Sequence, residues 1–191
     1  MLVPLTLQEV AVVSDSFAGT RNGGAMVDVR WPDARSKARL GMDVWNVFNQ
    51  VGMRADDYRS RPPHWWSDEL AVAEDDARSV VGAVQVRFNQ EYDGELFGEF
   101  SGLLGLQCYV EKIAVLPSAQ GDGVGTLLMH ETAQEAGRRR CTHLALRIDW
   151  TSDWKRRVKF FESCGLRSLV PRHGDDLYGA EVGAVLEATA R

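Results

Sequence analysis

No two of the three cysteines, Cys108, Cys141 and Cys164, are spaced as C-x-x-C, and their number is odd. A disulfide framework is therefore disfavoured, and a reducing compartment fits better. The four histidines, His64, His130, His143 and His173, have no zinc-ligand spacing with those cysteines, so no metal is expected. No apolar run approaches the length needed to cross a bilayer. The N-terminus lacks a basic stretch and carries Glu9 and Asp15, unlike a secretory signal. The expectation is a cytoplasmic chain with no membrane partner. A basic excess is also missing: the formal net charge is −5, which disfavours nucleic acid as a partner. The run Arg138-Arg139-Arg140 suits a helix C-terminus or solvent, or alternatively the phosphate-rich end of a ligand. Internal repeats and interior linkers are absent.

What is present suits one packed core. The chain has 191 residues, 45% of them hydrophobic. Residues 1–24 read as an extension of uncertain order, with a capping box at Thr6–Glu9 and a turn at Gly19–Gly24. Residues 25–191 read as a single domain. A first strand is expected at Ala25–Arg30. A helix follows with Ala38, Gly41, Val44, Trp45, Phe48 and Val51 at helical spacing. A short helix is expected around Ala55–Ser60. Strands follow at Glu69–Ala73 and Val80–Phe88, then a long connection over Asn89–Gly105. Further on, a helix with Leu128, Met129, Thr132, Ala133 and Ala136 on one side should stop at Gly137. A strand at Leu144–Ile148 and a helix at Arg156–Ser163, stopped by Gly165, come next. Leu169–Val170 and Tyr178–Leu186 read as terminal strands.

The most informative stretch is Tyr109–Gly125, YVEKIAVLPSAQGDGVG. Val110 and Ile113–Leu116 supply a buried strand, and Pro117 ends it because it has no N–H for a sheet ladder. The loop Gln120-Gly121-Asp122-Gly123-Val124-Gly125 opens a helix. Its glycines let backbone N–H groups approach a ligand, and the helix dipole adds partial positive charge. The result is a pocket of main chain for phosphate oxygens. It has no Gly-Lys-Ser/Thr ending, and the third glycine of G-x-G-x-x-G would fall on Thr126, so neither common nucleotide fingerprint fits.

Gln-x-x-Gly-x-Gly after a strand resembles instead the pyrophosphate loop of the GNAT superfamily, the acyl-CoA-dependent N-acyltransferases. Glu111-x-Ile113-x-Val115-x-Pro117 upstream fits as well. Downstream, Phe160-Phe161-Glu162-Ser163-Cys164-Gly165-Leu166 is similar to the family segment Phe-Tyr-Glu-x-x-Gly-Phe. The resemblance covers about residues 80 to 186. It implies an α/β fold with a mixed, mostly antiparallel twisted sheet, splayed central strands and helices on both faces. It also implies acetyl-CoA as co-substrate, held by Ile113, Ala114 and Val115 at its acetyl and pantetheine groups. Gln120, Gly121, Asp122, Gly123, Val124, Gly125 and Thr126 would meet the pyrophosphate, with Phe161 beside the coenzyme.

Acetyl transfer to an amine needs the thioester held, the amine neutral and the departing thiolate accommodated. Glu111 is the candidate base, and strand alternation predicts that it shares a face with Tyr109, Ile113 and Val115. The competing reading is a glutamate paired with a nearby Lys or Arg. Phe161 stands where many relatives have a tyrosine credited with protonating the thiolate. Tyr178 is the substitute considered for that role, with Tyr109 a second. For the acceptor, the resemblance points to regions holding Asp56, Asp57, Trp65, Trp66 and Glu99, together with Tyr58, Tyr92, Glu95 and Phe97. Acidic and aromatic groups suit a small cationic amine, although a solvated charged face with core tryptophans is the plainer reading. A protein lysine or N-terminus as acceptor, or a non-catalytic acyl-CoA sensor, stays open, as does a homodimer.

Overall fold

A computed structural model describes residues 26–53, 69–90, 105–148, 153–169 and 176–190. The expected helix at Ala55–Ser60, the extension 1–24 and most of the connection after residue 90 lie outside these. Seven strands form one sheet: β1 (Asp28–Arg30), β2 (Glu69–Glu74), β3 (Val80–Gln90), β4 (Gln107–Val115), β5 (His143–Arg147), β6 (Arg167–Ser168) and β7 (Leu177–Glu181). Their order is β1-β2-β3-β4-β5-β7-β6. Every neighbouring pair is antiparallel except β4–β5. The four described α-helices are α1 (Ala34–Gln50), α2 (Val124–Arg138), α3 (Trp154–Ser163) and α4 (Val182–Thr189).

Alternation along the strands divides the apolar side chains between two faces. On one face Ala71, Ala73, Val84, Val86, Leu144 and Leu146 pack with α2, α3 and α4 through Leu128, Met129, Ala133, Phe161 and Val185. On the other, Leu70, Val72, Ala83 and Ala114 pack with Leu40, Val44, Val47 and Phe48 of α1. Helix α1 begins at Asp33, whose carboxylate accepts from the Ser36 N–H at 2.7 Å. That bond holds the Asp33 carboxyl below the usual carboxylate range.

Four expectations need correction, the briefest being that the strand expected at Leu169–Val170 lies instead at Arg167–Ser168. The stretch Tyr178–Leu186 is not one strand: β7 ends at Glu181 and α4 follows. The buried residues Val182, Val185 and Thr189 recur at helical spacing, and Val182 approaches Gly137 of α2. Valine favours β-structure, but packing on α2 decides. Helix α2 does not stop at Gly137 but runs on to Arg138. Its closure comes from Arg140 in the left-handed region (φ 65°), with Cys141 N–H bonded to Ala136 O at 2.9 Å. Arg138 and Arg139 both pair with Glu135, and Arg139 also reaches Glu69. Finally, β3 continues two residues beyond Phe88. The expected stop at Gly165 holds: α3 ends at Ser163. A Cβ at Gly165 would also lie 2.9 Å from Ala184 O, so the glycine admits α4.

Candidate active site

The site follows from what happens along β4. Its first residues, Gln107–Val110, pair with β3 on one side and with His143–Leu146 of β5 on the other. Beyond Val110 the β5 pairing ends, while β4 continues to Val115 against β3 alone. A gap therefore opens between the two parallel strands. Leu116 N–H donates to Val81 O at 2.8 Å. Alternation then turns the Ala114 N–H toward β3 and the N–H groups of Ile113 and Val115 toward the gap. Val115 O points the same way, since Gln120 Nε2 donates to it at 2.9 Å.

A β-bulge lies where the strands part. Gln85 is opposite Lys112 and Val86 opposite Val110, so Glu111 is the extra residue. The bulge overturns the expected alternation. Val110, Ile113 and Val115 all pack toward α2–α4. Glu111 instead lies on the α1 side, ion-paired with Arg87, whose guanidinium is also 5.5 Å from the Tyr109 ring. Glu111 thus shares a face with Tyr109 but not with Ile113 and Val115. Its side chain is 26% exposed and that of Arg87 45%. In such a setting an ion pair contributes on the order of 1 kcal/mol or less and yields to a competing charge. On the same face Arg147 binds both Asp176 oxygens at 2.8 Å. Burial, then the Glu111 carboxylate, raises the Tyr109 phenol above its ordinary range.

After β4, a 3₁₀ turn at Pro117–Ala119 leads into the glycine loop. Gly121 (φ 96°) and Gly123 (φ 83°) adopt the left-handed conformation that favours glycine. A Cβ at Gly121 would meet nothing within 4 Å, so this part of the loop is open. Gly123 caps α2, whose first turn has no side-chain cap bond and no acidic residue. A helix N-terminus of this kind suits an anionic ligand. Gly125 is glycine for another reason: a Cβ there would sit 3.1 Å from the Phe160 ring of α3. Val124 is a core side chain and can offer a ligand only its backbone, whereas Asp122 is exposed.

Other expected site residues fall differently. Tyr178 is 7% exposed and packs on the α2–α4 face, across the sheet from Glu111. The two residues expected to act as catalysts are thus not brought together. Phe161, also 7% exposed, is core, whereas half-buried Phe160 forms the contact with the loop helix. Arg138–Arg140 lie at the far end of α2, about 20 Å from the glycine loop. Asp56, Asp57, Trp65, Trp66 and Glu99 lie outside the described residues. Sequence reasoning did not single out Arg87, Arg147 or Asp176; a lone arginine in an alternating strand has no local signature. Among the described residues no group of three His, Cys, Asp or Glu side chains could hold a metal, and no helix is long and apolar enough to cross a membrane.

A family model for the acetyltransferase (GNAT) family matches residues 31–166. The chain belongs to the GNAT acetyltransferase family. As a member it is an acetyltransferase of the N-acyl-transferring type. The splayed strands and glycine loop are the parts that its motifs implied. No curated protein matches the chain by sequence. Among solved structures, a GNAT-family protein from Desulfovibrio desulfuricans is 18% identical, with a TM-score of 0.60 over 82% of this chain and 99% of that one. The aminoglycoside N-acetyltransferase AAC(6')-Iy, in complex with CoA, is 16% identical, with a TM-score of 0.57 over 73% and 87%. The NatC complex bound to Gag peptide and CoA gives 12% identity and a TM-score of 0.55 over 81% and 95%. At these identities the likeness is one of fold.

Proposed function

We propose that the protein is an acetyl-CoA-dependent N-acetyltransferase acting on the primary amine of a small cationic molecule. The observation that carries the reading is the open edge of β4 beyond Val110, running directly into the glycine loop. The gap-facing N–H groups of Ile113 and Val115 and the open space at Gly121 fit a ligand with amide groups at one end and phosphates at the other. When bound, acetyl-CoA supplies an activated acyl carbon and a thiolate leaving group. The β4 edge orients the thioester, and one of its N–H groups donates to the carbonyl oxygen as negative charge develops there. Glu111, released from Arg87, takes the proton of the acceptor ammonium. The neutral nitrogen then bonds to the acyl carbon as the carbon–sulfur bond breaks, and the nitrogen gives up a second proton to solvent to leave the neutral amide. Phe161 has no proton to give, so the sulfur departs as thiolate.

The cationic acceptor rests on the acidic and aromatic set Asp56, Asp57, Trp65, Trp66 and Glu99. On the described part of the α1-side face, Arg87 and Arg147 are each paired to a carboxylate. A peptide acceptor is the second reading, favoured by the shared fold with the peptide-bound NatC complex. Thiol release should be measured over a panel of polyamines, aminosugars, neutral amines and lysine peptides. Cationic small amines should turn over fastest, at a rate that falls as salt rises. Faster turnover of neutral amines or peptides would overturn the small-cation assignment.

A further inference from the structure

The anion-binding loop carries the wrong charge on its side chains. Between Leu116 and Gly123 the single ionisable residue is Asp122, an acid. A diphosphate held there meets backbone N–H groups and a helix dipole, but no cation from the loop. The cations come from α3, which carries Lys155, Arg156, Arg157 and Lys159. Arg156 is tied to the loop: its Nη2 donates to Gln120 Oε1 at 2.8 Å, while Gln120 Nε2 donates to Val115 O. One glutamine amide thus links the guanidinium to the open edge of β4. Phe160, one turn further along α3 on the same side, packs against Gly125 in the first turn of α2. That packing holds α3 beside the loop, with Arg156 over its rim.

We propose that Arg156 is the cationic ligand of the coenzyme diphosphate, parked on Gln120 until the coenzyme arrives. This inference rests on the coenzyme reading above. Both Arg156 and Gln120 are exposed, so the bond between them exchanges readily with water. A phosphate offers the guanidinium fork two charged acceptors in place of one neutral oxygen, the stronger arrangement. Gln120 then keeps its bond to Val115 O and the edge stays oriented.

The test is calorimetry of wild type, Arg156→Ala and Arg156→Lys with CoA, dephospho-CoA and pantetheine, the last measured by competition. Arg156→Ala should weaken CoA and dephospho-CoA alike, by roughly tenfold to a hundredfold, and leave pantetheine unchanged. Arg156→Lys should recover part of the loss, since it restores charge without the fork. The salt dependence of CoA binding should be shallower in Arg156→Ala than in wild type. Equal CoA affinity in wild type and Arg156→Ala would overturn the proposal while leaving the coenzyme reading intact. So would an equal loss for pantetheine, which would make Arg156 a brace for the loop. A loss seen with CoA but not dephospho-CoA would move Arg156 to the 3′-phosphate and overturn the diphosphate assignment. A wild type that binds none of the three would overturn the coenzyme reading and this inference with it.

Discussion

The two halves of β4 are one strand in two environments. Gln107–Val110 has neighbours on both edges, and its side chains alternate as a buried strand should. Lys112–Val115 has a neighbour on one edge only, and the bulge at Glu111 has reversed its alternation. The first half is ordinary sheet. The second leaves backbone hydrogen-bonding groups of Ile113 and Val115 unmatched by β5 and puts a carboxylate beside them. An unpaired edge within a sheet costs stability unless something else satisfies it. Gln120 does so for one carbonyl, and a ligand with amide groups would serve the rest. The proposed chemistry uses the half where the sheet is incomplete.

The sharpest way to break this comparison is at the bulge. Glu111→Gln should lower kcat by roughly 10²–10⁴-fold with CoA affinity unchanged, measured by steady-state kinetics and calorimetry. An unaltered kcat would make Glu111 a structural partner of Arg87 and deprive the second half of β4 of its chemistry.

Next in size is the wall of the open half. Gly125→Ala puts a Cβ 3.1 Å from the Phe160 ring, with overpacking worth about 1–3 kcal/mol. Thermal unfolding should show the loss, and CoA binding should weaken as α3 shifts. Phe160→Leu in the same chain should restore part of both. If the double variant is no better than the single one, Gly125 is needed for the ligand and not for packing.

The smallest effects belong to the closed parts of the sheet. Tyr178→Phe should change kcat by less than about threefold, because the side chain is buried across the sheet from Glu111. Tyr109→Phe should leave the pH–rate profile unchanged below pH 10, the ordinary phenol value, since burial and the Glu111 charge push its ionisation higher still. A basic limb lost in Tyr109→Phe would make the first half of β4 part of the catalytic machinery.

Much of this was legible in the chain itself. The strand, proline and glycine loop of Tyr109–Gly125 are local features, and local propensity specifies them. The buried stripe of α2 follows from helical spacing, and the stop of α3 from Gly165. Gly125 was legible as a required glycine, but the reason was not: its neighbour Phe160 is distant in sequence. The face of Glu111 was misread because alternation assumes an unbroken ladder, and a bulge is a mismatch between two strands that neither strand displays alone. The C-terminal valines of α4 carry β propensity, and only the surface of α2 turns them into a helix. The sequence by itself determined most of the element types, the glycine loop and the missing hydroxyl at Phe161. The tertiary structure decided which side of the sheet each charge occupies, that Arg87 holds Glu111, and that Arg156 stands at the loop. Those relations depend on register and packing between distant segments, which the periodicity of any one segment does not encode.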